Sequence, residues 1–145
     1  KLPLSGGAVV AGEIAQMRAV LAEVSARGEA AFGSTAERLS EAVDALGRAT
    51  AAVREALAVD PVAALAGATP YLRLFGLALG GVCLAKAALA AQDLAAAGDA
   101  SQRGRIALAR FFAEKLATAA PGLAQAILSG AGALQDYEAM LGETV

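Results

Sequence analysis

The chain has 145 residues, 57% of them hydrophobic and only 4% aromatic, with a net charge of −2. It is one domain's worth of chain, rich in alanine, the residue of highest helix propensity, so its core must be built from Ala, Leu and Val. The 12 basic and 14 acidic residues are interspersed without a Lys/Arg run, which argues against nucleic-acid binding.

Residues 1–7, KLPLSGG, read as an extended lead-in, because Pro3 disfavours helix at Leu2 and Gly6-Gly7 leaves the backbone loose. A first helix is expected from Ala8 to Arg27. Val10, Ile14, Met17, Leu21 and Val24 then share one face, and Gly28 stops it. GSTAE at 33–37 begins a second helix, with Ser34 or Thr35 as cap and Ser34 with Glu37 at capping-box spacing. It should reach Val59, burying Leu39, Val43, Leu46, Thr50, Val53 and Leu57. Matched stripes joined by a short link imply an antiparallel pair.

Asp60-Pro61 restarts the chain as cap and first helical residue of a short helix over 62–66, interrupted by Gly67 and Pro70. A third helix is expected from Pro70 to Ala97, apolar almost all round. Arg73 and Lys86 bracket its most apolar stretch, and a lysine near mid-span costs ~2.5–3.5 kcal/mol on insertion scales. That cost favours a central bundle helix, buried on most sides, over a membrane span. Gly76, Gly80 and Gly81 give the small-residue spacing that close helix contact needs. Cys83, the single cysteine, reads as a small buried hydrophobe.

Residues 98–104 read as a polar loop. A fourth helix from about Gln102 is expected to bury Leu108, Phe112, Leu116, Leu123 and Ile127, with Phe111 alongside, and Pro121 should kink or split it. Residues 133–145 are a tail with one more turn, mildly acidic through Asp136, Glu138 and Glu143. The fold expected is all-α: one domain, residues 1–145, an up-and-down four-helix bundle with a long apolar third helix.

Chemistry is hard to place on this chain. It has no histidine, so Ser-His-Asp and Cys-His arrangements and the Glu-x-x-His di-metal motif are excluded. No phosphate loop or dinucleotide fingerprint occurs, and the carboxylates are too scattered for a metal site. Asp93 and Glu114 lie nearest apolar surroundings and read as solvated or ion-paired. Lys86 reads as snorkelling to the surface or pairing with a carboxylate. No catalytic, cofactor-binding or metal residue is assigned. Tyr71, Arg73 and Phe75 form a compact cluster at the start of the third helix and are candidate anchors for a partner domain, with core packing as the competing reading.

The stretch PYLRLFGLALGGVCLAKAALAAQ (70–92), followed by ARFFAEKLATAAPGLAQAILSGAGAL (109–134), resembles the C-terminal extra domain of the longer bacterial acyl-CoA dehydrogenases, which include the 3-methylmercaptopropionyl-CoA dehydrogenases. KLPLSGG resembles the point where the catalytic part hands over to that domain. The resemblance implies a parent flavoenzyme, with FAD and a glutamate base, that dehydrogenates acyl-CoA thioesters. It implies a non-catalytic accessory domain here, since no residue matches the catalytic glutamate motif. No cofactor is expected in this chain. The expected partners are the catalytic part of the same parent and, as a further candidate, a second copy in a homodimer, with acyl-CoA bound only in the parent and neither nucleic acid nor membrane. The start at Lys1 suits a piece of a longer protein, and the lone cysteine and the lack of a signal-like start suit the cytoplasm. The alternative is an independent helical protein-interaction module.

Overall fold

A computed structural model describes residues 4–130 and residue 132, and all its regular structure there is helical. The expected tail over 133–145 and residues 1–3 of the lead-in lie outside the described residues. Five helices of nine residues or more carry the fold: α1 (Ala8–Ala26), α2 (Thr35–Val59), α3 (Ala68–Ala96), α4 (Arg103–Phe111) and α5 (Ala120–Leu128). Two departures concern the joints. Residues 4–7 form a 3-10 turn where an extended segment was expected, with Gly6 and Gly7 at positive φ. The chain also inserts a short helical turn, Glu29–Phe32, between α1 and α2.

The α1 stripe holds as expected: Ile14, Met17, Leu21 and Val24 are buried, and Val10 packs partly against them. On α2, Leu39, Val43, Leu46, Thr50 and Val53 are buried, joined by Ala42, Ala45 and Ala49. The capping box does not form. The Ser34 N–H and hydroxyl both donate to Glu114 Oε1 at 3.4 Å, from the last limb of the chain, and Glu37 instead lies 3.7 Å from Arg38. Thr35 donates its hydroxyl back to the Phe32 carbonyl.

Side-chain meetings fix the direction of each limb. The Arg54 guanidinium near the end of α2 lies over Gly7 at the start of α1, while Leu21 and Ser25 border Ser40 near the other end. These two helices therefore run in opposite senses. Thr50 meets Tyr71 and Leu39 faces Gly81, so α3 returns along α2. Phe112 faces Gly81 and Ile127 faces Gly67, so the last limb returns along α3.

That last limb is a single expected helix broken into pieces. A π turn over Phe112–Leu116 and a 3-10 turn over Ala117–Ala119 separate α4 from α5. Pro121 falls in the first turn of α5, where its missing N–H leaves no ladder bond unmade. The expected buried face holds only in part: Ile127 is buried, and Phe112 and Leu123 pack partly against the core. Leu108, Phe111 and Leu116 are exposed, and the core side is Ala109, Ala113, Ala117, Ala120 and Ala124, ending at Ile127. Four-residue steps drift around an ordinary helix, but the wider π turn keeps Ala113 and Ala117 on one face. Alanines there let the limb lie close to α2 and α3, with Leu108 and Leu116 left outside.

The third helix is corrected in the same sense. Its inner side is Tyr71, Leu74, Ala78, Gly81, Val82, Ala85, Ala88, Leu89 and Ala91. Its outer side is open to solvent, so it is not buried on most sides, and Cys83 is exposed rather than buried. The span Leu65–Ala96 is long and apolar enough to cross a membrane by length and composition, yet 44% of its most apolar window is buried inside this fold.

Gly81 shows how tight the seam is. A Cβ there would sit 2.3 Å from Leu39 Cδ2 and 3.2 Å from Phe112 Cε1, whereas at exposed Gly76 it would meet nothing within 4 Å. Gly81→Val is expected to destabilise the fold by ~1–3 kcal/mol through overpacking. Gly76→Ala should stabilise it by roughly 0.5–1 kcal/mol through helix propensity. Urea denaturation of the two variants checks both signs, and a neutral Gly81→Val would contradict this packing.

Candidate functional site

Large apolar side chains stand on the outside of two limbs. Leu65, Leu72 and Leu79 recur every seven residues along and just before α3. Leu72 is 74% exposed, and Gly76, Cys83, Ala87, Ala90 and Leu94 extend the open apolar stripe. Lys86 is exposed on this face, as the snorkelling reading expects. On the last limb Phe111 is 56% exposed and Leu108 52%, with Leu116 and Leu128 also open. Single exposed leucines need no explanation, but a run of them on two packed limbs marks a surface suited to contact. The sequence conceals it because leucines at helical spacing ordinarily mark a core face. The alanines one position along from Leu108, Phe112 and Leu116 carried the competing signal.

The cluster of Tyr71, Arg73 and Phe75 divides between inside and outside. Tyr71 is buried, and its ring lies 6.3 Å from that of Phe75 at a 59° tilt. Its hydroxyl is 2.9 Å from Thr50 Oγ1, and Thr50 itself donates to the Leu46 carbonyl at 2.7 Å, so the tyrosine is the donor. Phe75 packs partly against the core. Arg73 alone faces solvent, beside Leu72, and makes no ion pair among the described residues.

The two carboxylates singled out from the sequence are both ion-paired. Asp93 takes a bidentate contact from Arg27, with Gln92 accepting from the same guanidinium at 3.2 Å, which ties the ends of α1 and α3 together. The hydrogen bond from Arg27 holds the Asp93 carboxyl below its ordinary value. Glu114, on the π turn, lies 3.7 Å from Arg110 and accepts from Ser34. Gly33, at φ 52°, makes room for this pair, since a Cβ there would fall 2.6 Å from Glu114 Oε1. The arrangement is a latch between the start of α2 and the π turn. Among the described residues no group of three or more His, Cys, Asp or Glu side chains is placed to hold a metal.

A family model described as acetyl-CoA dehydrogenase C-terminal like matches residues 12–138. No curated protein and no solved structure matches the chain.

Burial holds the Tyr71 phenol above its ordinary value of 10.0. The folded state therefore grips this proton more tightly than the unfolded chain. The resulting stability is fully present below about pH 10 and is lost as pH rises through the folded value. Tyr71→Phe is expected to cost about 1 kcal/mol at neutral pH, for one neutral hydrogen bond. It should also flatten the alkaline fall in melting temperature. A variant with the same alkaline slope as the parent sequence would show that Tyr71 does not govern it.

Proposed function

We propose, from the premise that this chain belongs to the acetyl-CoA dehydrogenase C-terminal-like family, that it is a non-catalytic accessory domain of an FAD-dependent acyl-CoA dehydrogenase. The parent would remove hydrogens from the α and β carbons of an acyl-CoA thioester, and the long, 3-methylmercaptopropionyl-CoA dehydrogenase-like enzymes are the subset favoured by the motifs at 70–92 and 109–134. The broken last limb counts as one member of an up-and-down four-helix bundle in this reading. Such a domain contributes packing surface, not reacting groups.

The observation that carries the reading is the exposed apolar surface of Leu72, Leu79, Leu108 and Phe111. A domain that lives in contact with a larger body keeps such side chains, because the contact removes them from water at about 25 cal/mol per Å². The catalytic part of the same parent is the proposed partner, and Arg73 beside Leu72 is a polar rim residue for that contact. FAD and acyl-CoA belong to the parent, in the cytoplasm, and neither nucleic acid nor a membrane is a proposed partner. The rival reading, an independent interaction module, draws on the same surface and differs in what lies upstream. A β-rich flavin domain preceding Lys1 supports the accessory role, and an unrelated domain there sinks it.

The chain mixed with FAD and an acyl-CoA is expected to show no bound flavin absorbance after desalting and no dye reduction. A retained yellow chromophore would contradict the accessory role.

A further inference from the structure

The outer stripe of α3 carries no charge. In chain order its open positions are Leu72, Gly76, Leu79, Cys83, Ala87, Ala90 and Leu94. At about 100° per residue all of them stay within roughly 40° of the direction of Cys83, and the stripe is roughly 33 Å long. Cys83 is its midpoint, equally distant in sequence from Leu72 and Leu94. The charged residues nearby fall to the sides. Arg73 lies on the same side of α3 as Gly80, which faces Phe112 of the last limb. Asp93 is held by Arg27 of α1, and Lys86 stands at the stripe's edge.

A partner seated on this stripe must also be uncharged along the seam, because a charge buried there without a counterpart is costly. A second copy of the chain meets that demand. Turned end for end about Cys83, it sets its own Leu94 opposite Leu72, its Ala90 opposite Gly76 and its Ala87 opposite Leu79. The small pair lets the backbones come close, each Leu79 fills the space above an alanine, and leucines close both ends. The antiparallel order also opposes the two helix dipoles, whereas a parallel order would align them and set each leucine against itself. Area sets the strength. A stripe roughly 33 Å long on a helix about 10 Å across covers on the order of 300 Å² per copy. A standard interface takes about 800 Å² per partner, so this pairing is reversible and concentration-dependent.

We propose that the α3 stripe pairs antiparallel with the same stripe of a second copy of this chain, centred on Cys83. The proposal rests on the accessory-domain reading for the rest of the exposed surface: Leu108, Phe111 and Leu116 of the last limb, with Arg73 on the side of α3 toward them, stay available to the catalytic part.

The test is sedimentation velocity over a wide range of protein concentration. The parent sequence should pass from monomer to dimer as concentration rises. Leu72→Glu/Leu94→Glu sets like charges opposite each other and should weaken the dimer by on the order of tenfold or more, with helicity unchanged because both leucines are exposed. Leu72→Lys/Leu94→Glu sets opposite charges across the antiparallel seam and should dimerise about tenfold more tightly than that first variant. A parallel pair would oppose like charges in both variants and be weakened alike. A short bismaleimide should join two copies through Cys83, the single cysteine, whereas Cys83→Ser/Ser40→Cys, which moves the thiol to an exposed position on α2, should not be joined. A chain that stays monomeric at every concentration overturns the proposal, as does equal weakening in the two double variants or equal cross-linking at the two positions. None of these results bears on the flavin experiment, and a retained flavin would leave the pairing untouched.

Discussion

The close approach of helix to helix through alanine and glycine is the constraint on which the rest of this structure depends. Ala42, Ala45 and Ala49 of α2, Ala78, Gly81, Ala85 and Ala88 of α3, and Ala113, Ala117 and Ala120 of the last limb are all removed from solvent. Each contributes little apolar area, so the stripes work by proximity: short side chains bring backbones together and let many weak dispersion contacts form. Phe32, Leu39, Leu46 and Leu74 are the largest side chains fully enclosed between the limbs. Gly81, enclosed by Leu39 and Phe112, marks the tightest point of the seam.

The same constraint explains the outer surface. Where small residues occupy the inner face of a limb, the large residues beside that face point outward. Leu108, Phe111 and Leu116 on the last limb and Leu72 and Leu79 on α3 follow from this geometry. The π turn over Phe112–Leu116 keeps the alanine face aligned across a limb that Pro121 prevents from being one regular helix. The latch of Glu114 on Ser34 and Gly33 then holds that irregular segment against the start of α2. A domain arranged in this way has an inside built for tightness and an outside suited to contact.

How much of this was legible in the sequence depended on side-chain size. The stripes of α1 and α2 were readable because Ile14, Leu21, Leu39 and Leu46 are large, recur at helical spacing and face inward, with charged residues opposite. The helix ends near Gly28 and Val59 and the break after Ala96 were readable from turn chemistry, although Ala100–Gln102 form a 3-10 turn and Arg103 already begins α4. The last limb was not, because two apolar stripes run along it and periodicity alone cannot say which is inside. Size pointed to the leucines, and the packing distance selected the alanines. Cys83 was misplaced for the same reason: α3 is apolar all round, so no polar face marked its outside. Of the expected anchor cluster, Tyr71 is buried and Phe75 partly so; Thr50 on α2 offers Tyr71 a buried hydroxyl partner, a pairing across 21 residues that local pattern does not reveal.

The most direct test of the central claim is equilibrium denaturation of Ala113→Leu beside Leu108→Ala. Ala113 is fully buried and Leu108 is half-exposed. The alanine-seam account predicts that enlarging Ala113 destabilises by ~1–3 kcal/mol, while trimming Leu108 changes stability by no more than about 0.5 kcal/mol. The opposite ranking, a tolerated Ala113→Leu and a Leu108→Ala that costs roughly 2–5 kcal/mol as core leucines do, would put the leucines inside and contradict it.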